Sequence, residues 1–204
     1  MTYTPSKLLT VEDFTSQYGD DSRYELIDGE LRDLEPTGPH ESVAGELAGH
    51  WFSAFRSGPQ AAARSWTIPK NCLICPPAAQ STALRPDVIV LDKAKLEREP
   101  FWQKEPVIAS GQSIVAIAEI VSTNWQDDYA RKVEEYLLLA VAEYWIVDFR
   151  GLGGLEFIGR PKQPTITICQ LQGGYYQKQQ FRLHEPIASR IFPTLTLTLA
   201  DLMP

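Results

Sequence analysis

Apolar residues at Val43, Ala44, Leu47, Ala48, Trp51, Phe52 and Phe55 recur at the spacing of one helical face over three turns, so this segment is predicted to be a helix. Later runs follow a different rule. Asp87-Val88-Ile89-Val90-Leu91, inside a strand predicted over residues 84–92, and Ser113 to Val121 are nearly continuous apolar stretches rich in β-branched residues. Such runs fit strands buried on both faces. Residues 143–148 give a third strand of this kind, and Tyr129 to Ala142 reads as a helix between the last two. Strand, helix, strand with full burial is a βαβ unit, which implies parallel pairing and a right-handed crossover.

The flanks are punctuated by turn residues. Thr10 is an N-cap candidate with Asp13 at the third position of a capping box, so a short helix is expected from there. Residues 24–27 and 30–32 flank Asp28-Gly29, a strong two-residue hairpin signal that would set Ile27 opposite Glu30 and Glu25 opposite Arg32. Residues 62–75 read as a further strand, and 94–112, with Pro100 and Pro106, as an irregular connection. Towards the C-terminus, 165–168 alternates, Gly173-Gly174 turns, and 175–181 returns as an antiparallel hairpin with one wet face. Leu195, Leu197 and Leu199 alternate with threonines in a final short strand, or else pack as a loop. The expected fold is α/β (α+β): a mixed β-sheet flanked by helices, with N-terminal and C-terminal hairpins. It forms one domain over 1–204, with 1–22 as an N-terminal helical extension.

Composition adds limits. With 204 residues, 44% of them hydrophobic, the chain is long enough to bury a core without disulfides or structural metal. The three cysteines, Cys72, Cys75 and Cys169, have no framework spacing. Cys72-x-x-Cys75 is followed at once by Pro76 and Pro77 and has no paired zinc partners, so burial is the expected role. There is no apolar signal-like start and no uninterrupted apolar run of membrane-spanning length, so a soluble, cytoplasmic protein without membrane contact is expected. A net charge of −7 argues against sequence-independent coating of nucleic acid, yet allows a local basic rim around an acidic metal site.

Carboxylates are costly on buried strands, which makes two of them informative. Asp87 opens one apolar strand directly after Pro86. Glu119 lies near the end of another, and strand periodicity puts it on the side of Val115, Ile117 and Val121. Two such carboxylates converging on one point suit Mg²⁺, with water and phosphate completing its shell. Lys132, thirteen residues beyond Glu119 on the following helix, can reach the pair if that helix folds back over the sheet. There an ammonium would position water and stabilise transition-state charge in phosphodiester hydrolysis.

Arg85-Pro86-Asp87 and Glu119-Ile120-Val121 resemble the two halves of the PD-(D/E)XK nuclease superfamily, with Val121 where the lysine usually stands and Lys132 as its substitute. A narrower match runs through the following blocks in order: Tyr24-Glu25-Leu26-Ile27-Asp28-Gly29-Glu30; His40; Arg85-Pro86-Asp87-Val88; Glu119-Ile120-Val121-Ser122-Thr123; Asp128-Tyr129-Ala130-Arg131-Lys132; Tyr136; and Glu143-Tyr144-Trp145-Ile146-Val147-Asp148. Together they resemble the Uma-two type of bacterial restriction endonuclease, first catalogued as a domain of unknown function. The resemblance covers roughly residues 10–200. It implies the nuclease fold, Mg²⁺ or Mn²⁺ as cofactor, DNA as substrate and often a homodimer. On that pattern Glu25 joins Asp87, Glu119 and Lys132 in the site, with Asp87 and Glu119 as metal ligands. Between Val121 and Asp128 the chain departs from the pattern, lacking the proline after Ser122 and running one residue short.

Plainer readings stand beside these. Glu25 can pair with Arg32 across its hairpin, Asp87 can cap a turn, and Lys132 can pair with Glu135 on an exposed helix face. His40, placed just before a helix in a Pro/Gly loop, is either a substrate contact or secondary ligand or a histidine satisfied by backbone. Asp128 is expected to cap the helix that carries Lys132. Asp148 is expected to be structural, Tyr144 and Trp145 to be core, and Trp125 to face a partner. An exposed apolar patch on a C-terminal strand would support a dimer. The chief functional alternative is a catalytically inactive nuclease-fold binding module for a protein or nucleic-acid partner, favoured by Val121 and by the acidic charge. A mobile-element or defence component acting through a partner shares the same fold.

Overall fold

The computed structural model describes residues 8–57, 61–76 and 79–204. In chain order its elements are α1 (Val11–Tyr18), β1 (Tyr24–Ile27), β2 (Glu30–Asp33), α2 (Gly38–Arg56), β3 (Trp66–Thr67), β4 (Leu73–Ile74), β5 (Val88–Asp92), α3 (Lys93–Leu96), β6 (Val107–Ile108) and β7 (Ile114–Ile120). A π-helical turn (Asp127–Arg131) then runs into α4 (Lys132–Leu138), followed by β8 (Glu143–Asp148), α5 (Leu155–Ile158), β9 (Thr165–Gln172) and β10 (Tyr175–Arg182).

The main sheet has the order β10-β9-β8-β7-β5-β3. Its β7–β8 pair is parallel, as the connecting helix requires, and its other pairs are antiparallel. The fold is therefore a mixed α/β sheet flanked by helices. On one face Val43, Leu47, Trp51 and Phe55 of α2 pack with Val88, Val90, Ala118, Ile120, Trp145 and Ile166. Trp51 stacks on Phe192 and meets Trp145 edge-on, with ring centroids 5.0 and 5.2 Å away. The opposite face holds Ile89, Leu91, Ile117, Val121, Tyr144 and Ile146 beneath Tyr129 and Tyr136. The N-terminal hairpin forms its own two-stranded sheet, with Asp28 (φ 52°) and Gly29 (φ 81°) in the left-handed conformations its tight turn needs. Thr10 and Asp13 make the expected capping box, and Phe14 of α1 packs on Leu26, Leu73 and Ala83. Residues 1–7 of the expected N-terminal extension lie outside the described residues.

Several expectations need correction. Residues 62–75 do not form one strand, because β3 and β4 belong to different sheets and Pro69 and Lys70 lie between them. A bulge in β7 pairs Val90 with Ala116 and then Leu91 with Ile114, so Val115 packs on the α2 side of the sheet and not with Glu119. The helix expected to reach Ala142 stops at Leu138, and Ala140 turns the chain with φ 54°. The first five residues of β9 are buried on both faces, so that hairpin is wet mainly along β10. There Gln177, Lys178, Gln179 and Gln180 are exposed, and the expected apolar patch is absent from β10. A lysine on such an edge discourages further strand pairing. Residues 195–199 pack Leu197 and Leu199 into the core as loop and 3₁₀ turn. Among the described residues no helix is long and apolar enough to cross a membrane.

Candidate active site

The sheet brings the predicted acids together through register alone. Val88 pairs with Ala118 in an antiparallel ladder, so Asp87, one residue before β5, stands opposite Glu119, and opposed residues share a face. Asp87 is tied down by the Ile120 amide, which donates to its Oδ2 at 2.7 Å. Val121, two residues beyond Glu119, is fully buried in the apolar layer.

Lys132 supplies the ammonium. The π-turn and the start of α4 aim Asp128, Lys132 and Tyr136, spaced four residues apart, at one spot over β7. π-turns of this kind recur at functional sites. Lys132 Nζ lies 3.0 Å from Glu25 Oε1, 3.2 Å from Glu119 Oε2 and 3.5 Å from Asp128 Oδ1. The other oxygen of Glu119, Oε1, accepts from the Tyr136 hydroxyl, and Glu25 Oε2 accepts from the Arg85 amide at 3.1 Å. Arg85 is itself a buried clamp. Its guanidinium donates to the Tyr24 and Gly19 carbonyls at 2.8 and 2.6 Å and to Asn71 Oδ1 at 3.2 Å, which fixes β1 and thereby Glu25.

Charge in this pocket is unbalanced, with four carboxylates (Glu25, Asp87, Glu119, Asp128) acting on one ammonium. Burial opposes the charge on Lys132, but the surrounding carboxylates outweigh it and hold the amine well above its usual range. Burial is also the main reason that the Glu119 carboxyl sits well above the usual carboxylate range. Lys132 pulls against that shift, while Asp87, Asp128 and Glu25 add to it. The Asp128 carboxyl is pushed up to about 7 by burial, again with Lys132 opposing.

His40 lies in the first turn of α2, not in the loop before it. Its Nε2 is 2.9 Å from the Ile120 carbonyl and 3.3 Å from Asp87 Oδ2, while its buried Nδ1, 3.8 Å from Glu41 Oε1, has no hydrogen-bond partner among the described residues. Burial lowers the basicity of the ring, but Asp87, the Ile120 carbonyl and Glu41 together raise it above the ordinary histidine value.

Glu25, His40, Asp87, Glu119, Asp128 and Lys132 all line a single cleft of about 530 Å³. The plainer pairings do not form. Arg32 binds Glu30 and Asp127, leaving Glu25 to Lys132, and Glu135 pairs with Arg131. Asp128 does not cap the helix, because Gln126 holds the cap position and Asp128 points its carboxylate at Lys132. Trp125 is half-buried and packs edge-on against Tyr129 and Phe157. Asp148 accepts from the Leu152 and Gly153 amides and shapes a turn. Cys72 and Cys75 are free thiols pushed up by burial to about 12 and about 11, which fits an inert packing role. Sequence reasoning gave no role to Tyr136 or Arg85. The four-residue spacing from Lys132 signals the former, and the place of Arg85 two residues before Asp87 signals the latter.

The donor set fits a hard divalent cation in chemistry, being carboxylate oxygen with surplus negative charge. Among the described residues no group of three or more His, Cys, Asp or Glu is arranged as a ready-made metal cage. Mg²⁺ commonly binds through one or two carboxylates, with water and phosphate filling the rest, and Asp87 and Glu119 are two carboxylates that line the same cleft.

No curated protein matches the chain. The family model Uma2, whose description reads "Putative restriction endonuclease", matches residues 11–200. With a match over nearly its whole length, the chain belongs to the Uma2 restriction endonuclease-like family.

Proposed function

We propose that the protein is a divalent-metal-dependent endonuclease that hydrolyses phosphodiester bonds in DNA, with Mg²⁺ or Mn²⁺ held by Asp87 and Glu119. The observation that carries this reading is the convergence of one buried ammonium, Lys132, on carboxylates from the hairpin, the central strand and its own helix. Family membership points the same way. When bound, the metal supplies Lewis-acid polarisation of the phosphate and a more acidic water.

The protein's own groups divide the remaining work. Lys132, held as an ammonium, has no lone pair for a proton, so it serves as hydrogen-bond donor and counter-charge to the developing phosphorane. Asp128 lines the cleft beside Lys132, and with its carboxyl pushed up to about 7 it accepts the proton of the attacking water in this reading. Glu25 holds Lys132 in place, and His40 steadies Asp87 through Oδ2. The test is cleavage of DNA with Mg²⁺ or Mn²⁺. Asp87→Ala, Glu119→Gln and Lys132→Met should each lose at least about 100-fold in rate, the scale of removing a main electrostatic stabiliser. Full activity in Asp87→Ala would refute the mechanism.

A second reading has one observation in its favour. Both oxygens of Glu119 are already engaged, by Tyr136 and by Lys132, as they would be in a nuclease fold retained as a binding module. Calorimetric titration with Mn²⁺ separates the two, because heat that disappears in Asp87→Ala supports the enzyme and no carboxylate-dependent heat supports the module.

A further inference from the structure

The cleft is poor in cations. Among the described residues four basic side chains line it, His40, Lys70, Arg85 and Lys132, and His40 is committed to Asp87 and the Ile120 carbonyl. Arg85 is committed to Tyr24, Gly19 and Asn71, and Lys132 to three carboxylates. Lys70 is exposed on the β3–β4 connection and forms no ion pair or hydrogen bond among the described residues. Its neighbour Asn71 gives its amide oxygen to Arg85, which leaves the amide nitrogen as a second donor at the same edge. The other charged residues of the rim are Glu41 and Asp127, and the nearby Arg32 and Arg131 are tied to Asp127 and Asp28. Among the described residues no Phe, Tyr or Trp lines the cleft, and the His40 ring is buried.

Depth matters as much as charge. Glu119, Glu25 and Lys132 are 1, 2 and 4% exposed, so a scissile phosphate has to come down to them. Duplex binding rests on Lys and Arg side chains neutralising phosphates, about 6–10 of them in a strongly salt-dependent binder. A rim with one unpaired lysine between two carboxylates does not provide that. A cleft lined by no Phe, Tyr or Trp among the described residues also lacks the stacking platforms that grip bases.

We propose that the substrate enters this cleft as a single strand of DNA recognised by its sugar-phosphate backbone, with Lys70 and Asn71 holding a phosphate that flanks the scissile one. The inference rests on the nuclease reading above and narrows its substrate. It entails weak sequence preference and a shallow salt dependence, since each phosphate contact to a single strand contributes a slope of only about −0.7 in log K against log salt.

The experiment measures binding by fluorescence anisotropy with the full chain in Ca²⁺, and cleavage in Mg²⁺. The same labelled oligonucleotide is used as a single strand and annealed to its complement. The single strand should bind at least about five-fold tighter than the duplex, with a slope of one or two phosphate contacts. Lys70→Gln should weaken single-strand binding several-fold, flatten the slope by about 0.7 and raise KM more than it lowers kcat. Lys70→Arg should restore binding, and the melting temperature should not move in either variant. Tighter duplex binding, or affinity and slope unchanged in Lys70→Gln, alongside Mg²⁺-dependent cleavage lost in Asp87→Ala, overturns this inference and leaves the nuclease standing. No metal-dependent cleavage of either form overturns both.

Discussion

At the scale of single residues, the site is a charge balance set by burial. Among the described residues Lys132 is the one ammonium against Glu25, Glu119 and Asp128, and removing one partner of a buried charge cluster leaves the others uncompensated. Lys132→Met should therefore cost roughly 3–5 kcal/mol in urea denaturation at neutral pH, and less in acid, where the carboxyls take up protons. Tyr136→Phe takes a donor from buried Glu119 and should cost about 1–3 kcal/mol. Asp128 contributes a pH dependence, and Glu119, also raised by burial, acts in the same direction. The folded value of Asp128, about 7, lies above the ordinary 3.8, so the folded state binds its proton more tightly across that window. The stability that Asp128 contributes is fully present below 3.8 and is lost as pH rises from there through about 7. Asp128→Asn keeps the shape without the charge, so melting temperatures of parent and variant should diverge across the same window, with the variant gaining. Parallel profiles would remove Asp128 as a strained acid.

Elements explain why those residues meet. Three charge pairs join the N-terminal hairpin to the helix bearing Lys132: Asp28 with Arg131 through two contacts of 2.9 Å, Arg32 with Asp127 at 3.2 Å, and Glu25 with Lys132. Asp28 serves twice, as the left-handed turn residue and as the anchor of Arg131. The C-terminal end of α4 is fixed by a close backbone approach, since a Cβ added to Gly111 would sit 1.8 Å from the Leu139 carbonyl oxygen. Gly111→Ala should cost about 1–3 kcal/mol by overpacking, read from denaturation midpoints. A cost near zero would mean that the two segments part easily. Much of this was legible in the chain. Asp28-Gly29 announced its hairpin through turn chemistry, and Glu119 stood out because a carboxylate among β-branched residues is expensive to bury. The π-turn was not legible, because one extra residue in a helical turn leaves the apolar pattern nearly intact and is decided by what the helix packs against. The alternating leucines at 195–199 looked like a strand, yet they fill the core without pairing in the sheet, since burial satisfies the side chains whether or not the backbone finds a ladder.

At the scale of the whole molecule, the excess negative charge has a thermodynamic consequence. The chain carries a net charge of −7, and four of its carboxylates face one ammonium in the cleft, a cost that folding must offset elsewhere. A divalent ion that binds only the assembled cleft returns part of that cost, because a ligand specific to the native state stabilises it by about 2.7 kcal/mol at a hundredfold excess over Kd. Mn²⁺ should therefore raise the melting temperature in a saturating manner, while sodium salt at matched ionic strength should not. Asp87→Ala lowers the baseline by leaving the Ile120 amide without its acceptor, so the informative quantity is the metal-induced shift, which should vanish in that variant. Lys70→Gln, which touches the substrate rim alone, should keep the shift in full. If Mn²⁺ moves neither the parent nor Asp87→Ala, the Lys132 ammonium is by itself counter-charge enough, and the fold is better understood as a module that binds without cutting.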